Sequence, residues 1–366
     1  MFNPLRKRGV SRFLVMAAAL ALTGAACSTG GGGTETTKGS TSEAALAGLW
    51  KPGEGNIPSL DLRSHALDSM KGKTLAWVPV GLGVPLTDEW TYVMQTRAEA
   101  LGMKFIVRDP NWDSQAEARV VSSLIAEHPD VLVLHNPDVQ LLASQIEQAQ
   151  KAGIFVVQVN MVSNYKSDAY VGADWETLGS RVANDIVKDC GPGTSGKVQI
   201  IEGPKTSGAS LDQLRGAKTV FDQHSEIKIV SDQSGGNWDP SAAHDLASTV
   251  LRANPDLCAI YGFWGVMTNG AAQAVKEAGL AGKVKVYASG GGSPINCQNL
   301  QQGLFHEFVY YDAPLQAQQV VDIGSNLLQS GLKPGDVHWA SYTPLQIWTA
   351  AQANQATCYT PKVTLP

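Results

Sequence analysis

Charge is scarce and unclustered in this chain. Charged residues make up 17% of its 366 residues, the formal net charge is −5, and the body carries no long basic run. Phosphate backbones demand clustered Lys and Arg, so nucleic acid is not an expected partner. Beyond Leu22 no apolar run is long enough to cross a bilayer as a helix. Catalytic signatures are missing too. There is no G-x-S-x-G elbow and no H-E-x-x-H, and no pair of carboxylates stands out for acid–base work. The seven His are scattered, and His135 and His306 read as satisfied polar residues, not ligands. Gly191 to Lys197 has P-loop glycine spacing, but Val198 replaces the required Ser or Thr and the segment precedes a strand pattern instead of following one. Gly81-Leu82-Gly83 lacks the third glycine of a dinucleotide fingerprint. Neither an enzyme, a cofactor nor a metal site is expected.

What is present begins at the N-terminus. Arg6, Lys7, Arg8 and Arg12 precede an apolar stretch from Phe13 to Leu22, which is too short to span a membrane. Leu22-Thr23-Gly24-Ala25-Ala26-Cys27 then resembles the lipobox of bacterial lipoproteins. The resemblance implies a signal peptide over residues 1–26 and lipidation of Cys27. More than one acyl chain gives stable membrane anchoring. The Gly-, Ser- and Thr-rich segment that follows has the composition of a flexible linker, and residues 27–70 as a whole are read as lipidated Cys plus linker, with Leu46 to Ser69 ambiguous. Cys190, Cys258, Cys297 and Cys358 remain. Their spacing fits no zinc pattern. Two disulfides in any of the three pairings, or buried free thiols, are all open.

From Thr74 the chain alternates short β-branched runs with amphipathic stretches. Strands are expected at 74–80, 104–108, 131–135, 154–159, 170–172, 197–202, 227–232, 257–262, 284–289 and 305–310, with helices between them and a last helix at 314–330. Such alternation implies parallel sheets covered by helices, with functional residues following the carboxyl ends of the strands. The length favours two lobes.

The body resembles the sugar-binding branch of the type I periplasmic binding proteins, close to the ribose-binding pattern. The resemblance covers about Lys73 to Gln329. It rests on Ala98-Glu99-Ala100-Leu101-Gly102, Asn136-Pro137, Lys151-Ala152-Gly153-Ile154, Gly172-Ala173-Asp174, Arg215-Gly216 and Asn254-Pro255-Asp256 in order. It implies an α/β fold of two Rossmann-like, doubly wound parallel-sheet lobes joined by a three-segment hinge. The first lobe is expected over residues 71–173 plus 311–340, and the second over 174–310 plus 341–366. Transcriptional regulators of the family carry an N-terminal helix-turn-helix where this chain has a leader-like segment.

The resemblance also proposes site residues. Arg215 matches an arginine that hydrogen-bonds sugar hydroxyls, and Trp238 an aromatic that stacks on the sugar ring. Asn160-Met161 stands where the family has an Asp-Arg pair, Trp264 where it has Asn, Gly291 where it has Asp, and Tyr310 where it has Gln. The first-strand loop reads Val84-Pro85-Leu86-Thr87 in place of an Asn-Pro-aromatic pattern. These departures trade charge for aromatic surface and put ribose itself in doubt. Asp88, Glu89, Trp90, Trp112, Asn136, Asn160 and Asp174 are candidate replacement partners. Asp88 and Asp174 equally suit helix caps, and Trp112 and Trp175 equally suit lobe surface. The expectation is a monomeric lipoprotein on the outer face of the cell membrane. It would capture a monosaccharide or sugar alcohol between its lobes and pass it to the permease of an ABC importer. A sensor for a membrane signalling protein, or a binder of a non-sugar molecule, is the alternative.

Overall fold

The structure is a computed structural model that describes residues 58–353 and Cys358. Cys27 and the leader-like segment lie outside the described residues. The elements run α1 (Pro58–Met70), β1 (Thr74–Val78), α2 (Pro85–Ala100), β2 (Lys104–Val107), α3 (Ser114–Glu127), β3 (Val131–Leu134), α4 (Ala143–Lys151), β4 (Phe155–Val159), β5 (Ala169–Gly172), α5 (Trp175–Cys190), β6 (Lys197–Glu202) and α6 (Gly208–Phe221). They continue with β7 (Lys228–Ser234), α7 (Pro240–Ala253), β8 (Ala259–Gly262), α8 (Gly265–Glu277), β9 (Lys285–Gly290), α9 (Pro294–Gln301), β10 (Glu307–Tyr310), α10 (Ala313–Gln329), β11 (Trp339–Tyr342), β12 (Gln346–Trp348) and α11 (Ala350–Ala353).

Two six-stranded sheets result, ordered β11-β5-β4-β3-β1-β2 and β12-β10-β9-β8-β6-β7. Every pairing is parallel except β10 with β12. β3 and β4 are buried along their whole length, as strands covered on both faces must be. That need explains their near-continuous apolar sequences, interrupted only by Gln158 in β4.

The chain passes between the sheets three times. It leaves the first after β5, and it returns after β10 because α10 packs on α2 and α1. The third passage falls between Tyr342 and Gln346 rather than after residue 340, since β11 stays paired with β5 as far as Tyr342↔Gly172. Residues 58–70, expected as linker, form α1. Its sequence is polar, and Met70 is buried where the helix closes onto the first lobe.

Asp113, Asp174 and Asp239 each cap a helix that follows a strand, accepting backbone N–H groups at the first turn. The P-loop-like segment is the turn from α5 to β6. Two disulfides, Cys190–Cys258 and Cys297–Cys358, resolve the open pairing. Among the described residues no helix is long and apolar enough to cross a membrane, and no cluster of metal-ligating side chains occurs.

Candidate functional site

The carboxyl ends of the strands from both sheets meet around a cleft of about 440 Å³, its mouth open to solvent included. The first lobe lines it with Val80, Leu86, Thr87, Trp112, His135, Asn160 and Met161, the second with Gln213, Trp238, Phe263 and Trp264, and the passages between lobes with Trp175 and Tyr311. No Asp, Glu, Lys or Arg is among the lining residues.

Two tryptophans are set by the same device. After β2 the chain turns through Asn111 and Trp112 with φ of 55° and 64°, a left-handed conformation that is costly for a bulky residue and marks functional sites. Asp109 holds the turn by accepting from the Asn111 and Leu82 amides at 2.7 and 3.3 Å. The Trp112 indole donates to the Leu82 carbonyl at 3.2 Å and lies on Gly81, where a Cβ would meet the ring at 2.4 Å. In the second lobe Trp238 has φ 61° and lies on Gly203, where a Cβ would again meet the ring at 2.4 Å. Its edge meets Trp264, with ring centroids 6.0 Å apart. Both turns read Asn-Trp-Asp, at 111–113 and 237–239, and the Asp of each caps the next helix.

Asn160 sits at the end of β4 with φ 62° and is buried. Its carbonyl accepts the Trp175 indole N–H at 2.6 Å and its side-chain oxygen accepts from Gln316 at 3.2 Å. Burial pushes the Tyr311 hydroxyl up, opposed by the Asn160 and Trp264 side chains hydrogen-bonded to it. Gln213 is fully buried, and its side-chain oxygen accepts from Tyr261 at 3.1 Å and Ser289 at 3.4 Å. His135 lies between Trp77, stacked at 6.4 Å, and Trp90, edge-on at 5.0 Å. Burial lowers its pKa to about 3, so the imidazole is neutral at ordinary pH.

Of the residues expected from sequence, Trp112, Asn160, Trp238 and Trp264 come together on the cleft. The others stand apart from its lining, for identifiable reasons. Arg215 lies two residues past Gln213, about 200° round the helix. Its side chain is 59% exposed and pairs with Glu176 at 3.2 Å and Asp212 at 2.9 Å. Tyr310 alternates with Tyr311 along the chain. It stacks instead on Trp348, with ring centroids 4.1 Å apart. Trp90 is wholly buried behind His135. Asp88, in the first turn of α2, accepts the Gly83 amide at 2.9 Å. Asn136 is buried and donates to the Met161 carbonyl at 3.2 Å, bracing the strand ends beneath the cleft. Gly291 is buried in the turn before α9. Asp174 takes the capping role, and Trp175 turns out to face the cleft.

Gln213, Phe263 and Tyr311 lie in the stretches after strands where functional residues are expected, but nothing in the sequence singled them out, and His135 was read as satisfied. The repeated Asn-Trp-Asp was the available signal: the same three residues after the second strand of each lobe.

A family model for a periplasmic binding protein domain matches residues 75–333. The D-allose-binding periplasmic protein of Escherichia coli (strain K12) is 34% identical over 158 residues, covering 41% of this chain and 50% of that protein. The D-ribose/D-allose-binding protein of Pseudomonas aeruginosa is 32% identical over 181 residues, covering 48% and 56%. The chain thus spans about half the length of the curated relatives it matches. Among solved structures, an ABC transporter solute-binding protein from Burkholderia graminis in complex with D-arabinose superposes with a TM-score of 0.72 at 22% identity, over 79% of this chain and 99% of that one. A Caulobacter myo-inositol-binding protein bound to myo-inositol gives 0.70 at 21% identity, over 78% and 95%. At these identities the likeness is one of fold.

Proposed function

We infer from one premise, that this chain belongs to the periplasmic binding protein domain family, that it is an extracytoplasmic solute-binding protein. It captures a neutral monosaccharide or sugar alcohol between its lobes and delivers it to the permease of an ABC importer. The observation that carries this reading is the pair Trp112 and Trp238, one from each lobe, in one cleft whose lining includes no charged residue. Flat indoles bury the C–H faces of a polyol ring, and a solute held from both sides stabilises the closed arrangement of the lobes. The named solutes of the relatives, allose and ribose, are of this class. Lipidation at Cys27 would keep such a receptor on the outer face of the membrane, beside the permease, and raise its effective concentration there. The protein acts as a monomer in this scheme.

A thermal-shift screen over pentoses, hexoses, tetritols, pentitols and amino acids tests the solute class. A ligand of the folded state must raise the melting temperature. The expected result is a shift with at least one sugar or polyol and none with amino acids. A shift with amino acids alone overturns the reading.

A further inference from the structure

Most polar groups around the cleft are already spoken for within the protein. The Trp112 and Trp175 indoles donate to backbone carbonyls, and the Asn160 and Gln213 oxygens accept from neighbouring side chains. Among the buried ones His135 is the exception. It lines the cleft and is only 4% exposed, yet neither ring nitrogen has a hydrogen-bond partner. No other described residue of the lining carries a buried side-chain nitrogen or oxygen in that state. Buried polar groups in folded proteins are ordinarily paired, and one left unpaired at the wall of a cleft calls for a partner. Its ring plane is fixed by Trp77 on one face and by the edge-on Trp90.

We propose that His135 is the hydrogen-bonding anchor of the cleft, and that the solute is an uncharged, sparsely hydroxylated sugar or polyol that offers one hydroxyl to this imidazole and apolar faces to the indoles. The inference rests on the sugar reading above and narrows it. A neutral imidazole presents one N–H donor and one acceptor, and a hydroxyl can partner either. A charged solute would enter a lining with no charge to answer it, at a large desolvation cost. A hexose with a hydroxyl on nearly every carbon would bring more donors and acceptors than the imidazole's one donor and one acceptor can answer. A deoxy sugar brings fewer, and its methyl group would meet Phe263, Met161 and the indoles.

The test uses the purified chain and matched sugars that differ by one hydroxyl: D-galactose against D-fucose, and L-mannose against L-rhamnose, with D-galacturonate and D-galactosamine as charged controls. Affinities come from calorimetry and from the cleft tryptophans' fluorescence. The deoxy member of at least one pair should bind tighter by about tenfold or more, and the charged sugars should not bind. His135→Phe keeps a flat ring without nitrogens. It should weaken that sugar by about tenfold or more while leaving the solute-free melting temperature unchanged or raised, and His135→Gln should recover much of the loss. A merely structural histidine would instead lower the melting temperature and spare the affinity. Sugars that bind with the opposite preference, or a His135→Phe protein that binds as the parent does, overturn this inference and leave the sugar reading standing. If no sugar or polyol binds, both fall together.

Discussion

Trp112 and Trp238 hold the same position in the two lobes. Each follows the second strand of its sheet, and each takes a left-handed backbone, with φ of 64° and 61°. Each also lies flat on a glycine at the end of the neighbouring first strand, Gly81 or Gly203. The glycines are part of the device: only a residue without a Cβ lets the indole settle so close to the strand end. Orientation of the rings is therefore built by backbone and glycine, before any solute arrives.

The first prediction follows from that contact. Gly203→Ala places a methyl group 2.4 Å from the Trp238 ring. A contact that close cannot persist, so the ring or the strand end must shift and the indole loses its seat. Affinity for the bound solute should fall by about tenfold, approaching the loss caused by Trp238→Ala, although residue 203 is not among the residues lining the cleft. Isothermal calorimetry on the two variants checks this. Equal affinity in Gly203→Ala and the parent would show that the ring's seat does not matter.

Arg215→Ala should leave solute affinity within about twofold of the parent. The guanidinium is paired with Glu176 and Asp212 on the helix surface and does not reach the cleft lining. Exposed pairs of this kind contribute little to stability, so the melting temperature should hardly move. Titration of the variant with the identified solute decides between this geometry and the family role that the sequence position suggests.

That contrast shows where sequence reading reached and where it stopped. β3 and β4 were legible because burial on both faces forces near-continuous apolar runs, and α5 because Asp174 suits the cap at its start. β11 and β12 were not, because they lie on sheet edges with exposed positions, and their sequences carry little apolar alternation. In the site, family position pointed to the right elements but not always the right face. On α6 the cleft takes Gln213 and not Arg215, and after β10 it takes Tyr311 and not Tyr310. A displacement of one or two residues turns a side chain away, and neither composition nor spacing reports which way it turns. His135 was misread for a different reason: whether a buried imidazole finds a partner is a tertiary fact.

The Cys190–Cys258 bond joins the end of α5 to the approach to β8, across 68 residues of sequence. Closing a loop of that size restricts the unfolded chain, which by the chain-entropy model is worth about 4 kcal/mol. The Cys190→Ser, Cys258→Ser double variant should lose stability of that order in chemical denaturation while keeping its solute affinity, since neither cysteine lines the cleft. Affinity lost along with stability would mean that the bond positions the second lobe's site loops.

Glu202 gives the second lobe a dependence on pH. It ends β6 with its side chain 2% exposed, and burial followed by the facing Asp232 carboxylate raises its pKa to about 7, against the opposing pull of Lys205 at 3.3 Å. In the unfolded chain the same carboxyl ionises near its ordinary value of 4.5. Below that value both states hold the proton and the folded state bears no penalty. As pH rises from about 4.5 towards 7 the unfolded state gives up its proton first, so this group's contribution to stability is progressively lost, and the loss levels off once the folded carboxyl also ionises. Glu202→Gln keeps the shape and removes the titration. The variant should therefore gain melting temperature relative to the parent on going from pH 5 to pH 8, by an amount that thermal denaturation at the two pH values reads directly. A difference between the two proteins that stays constant across that range would show that the Glu202 carboxyl titrates alike in both states, with Lys205 balancing the burial.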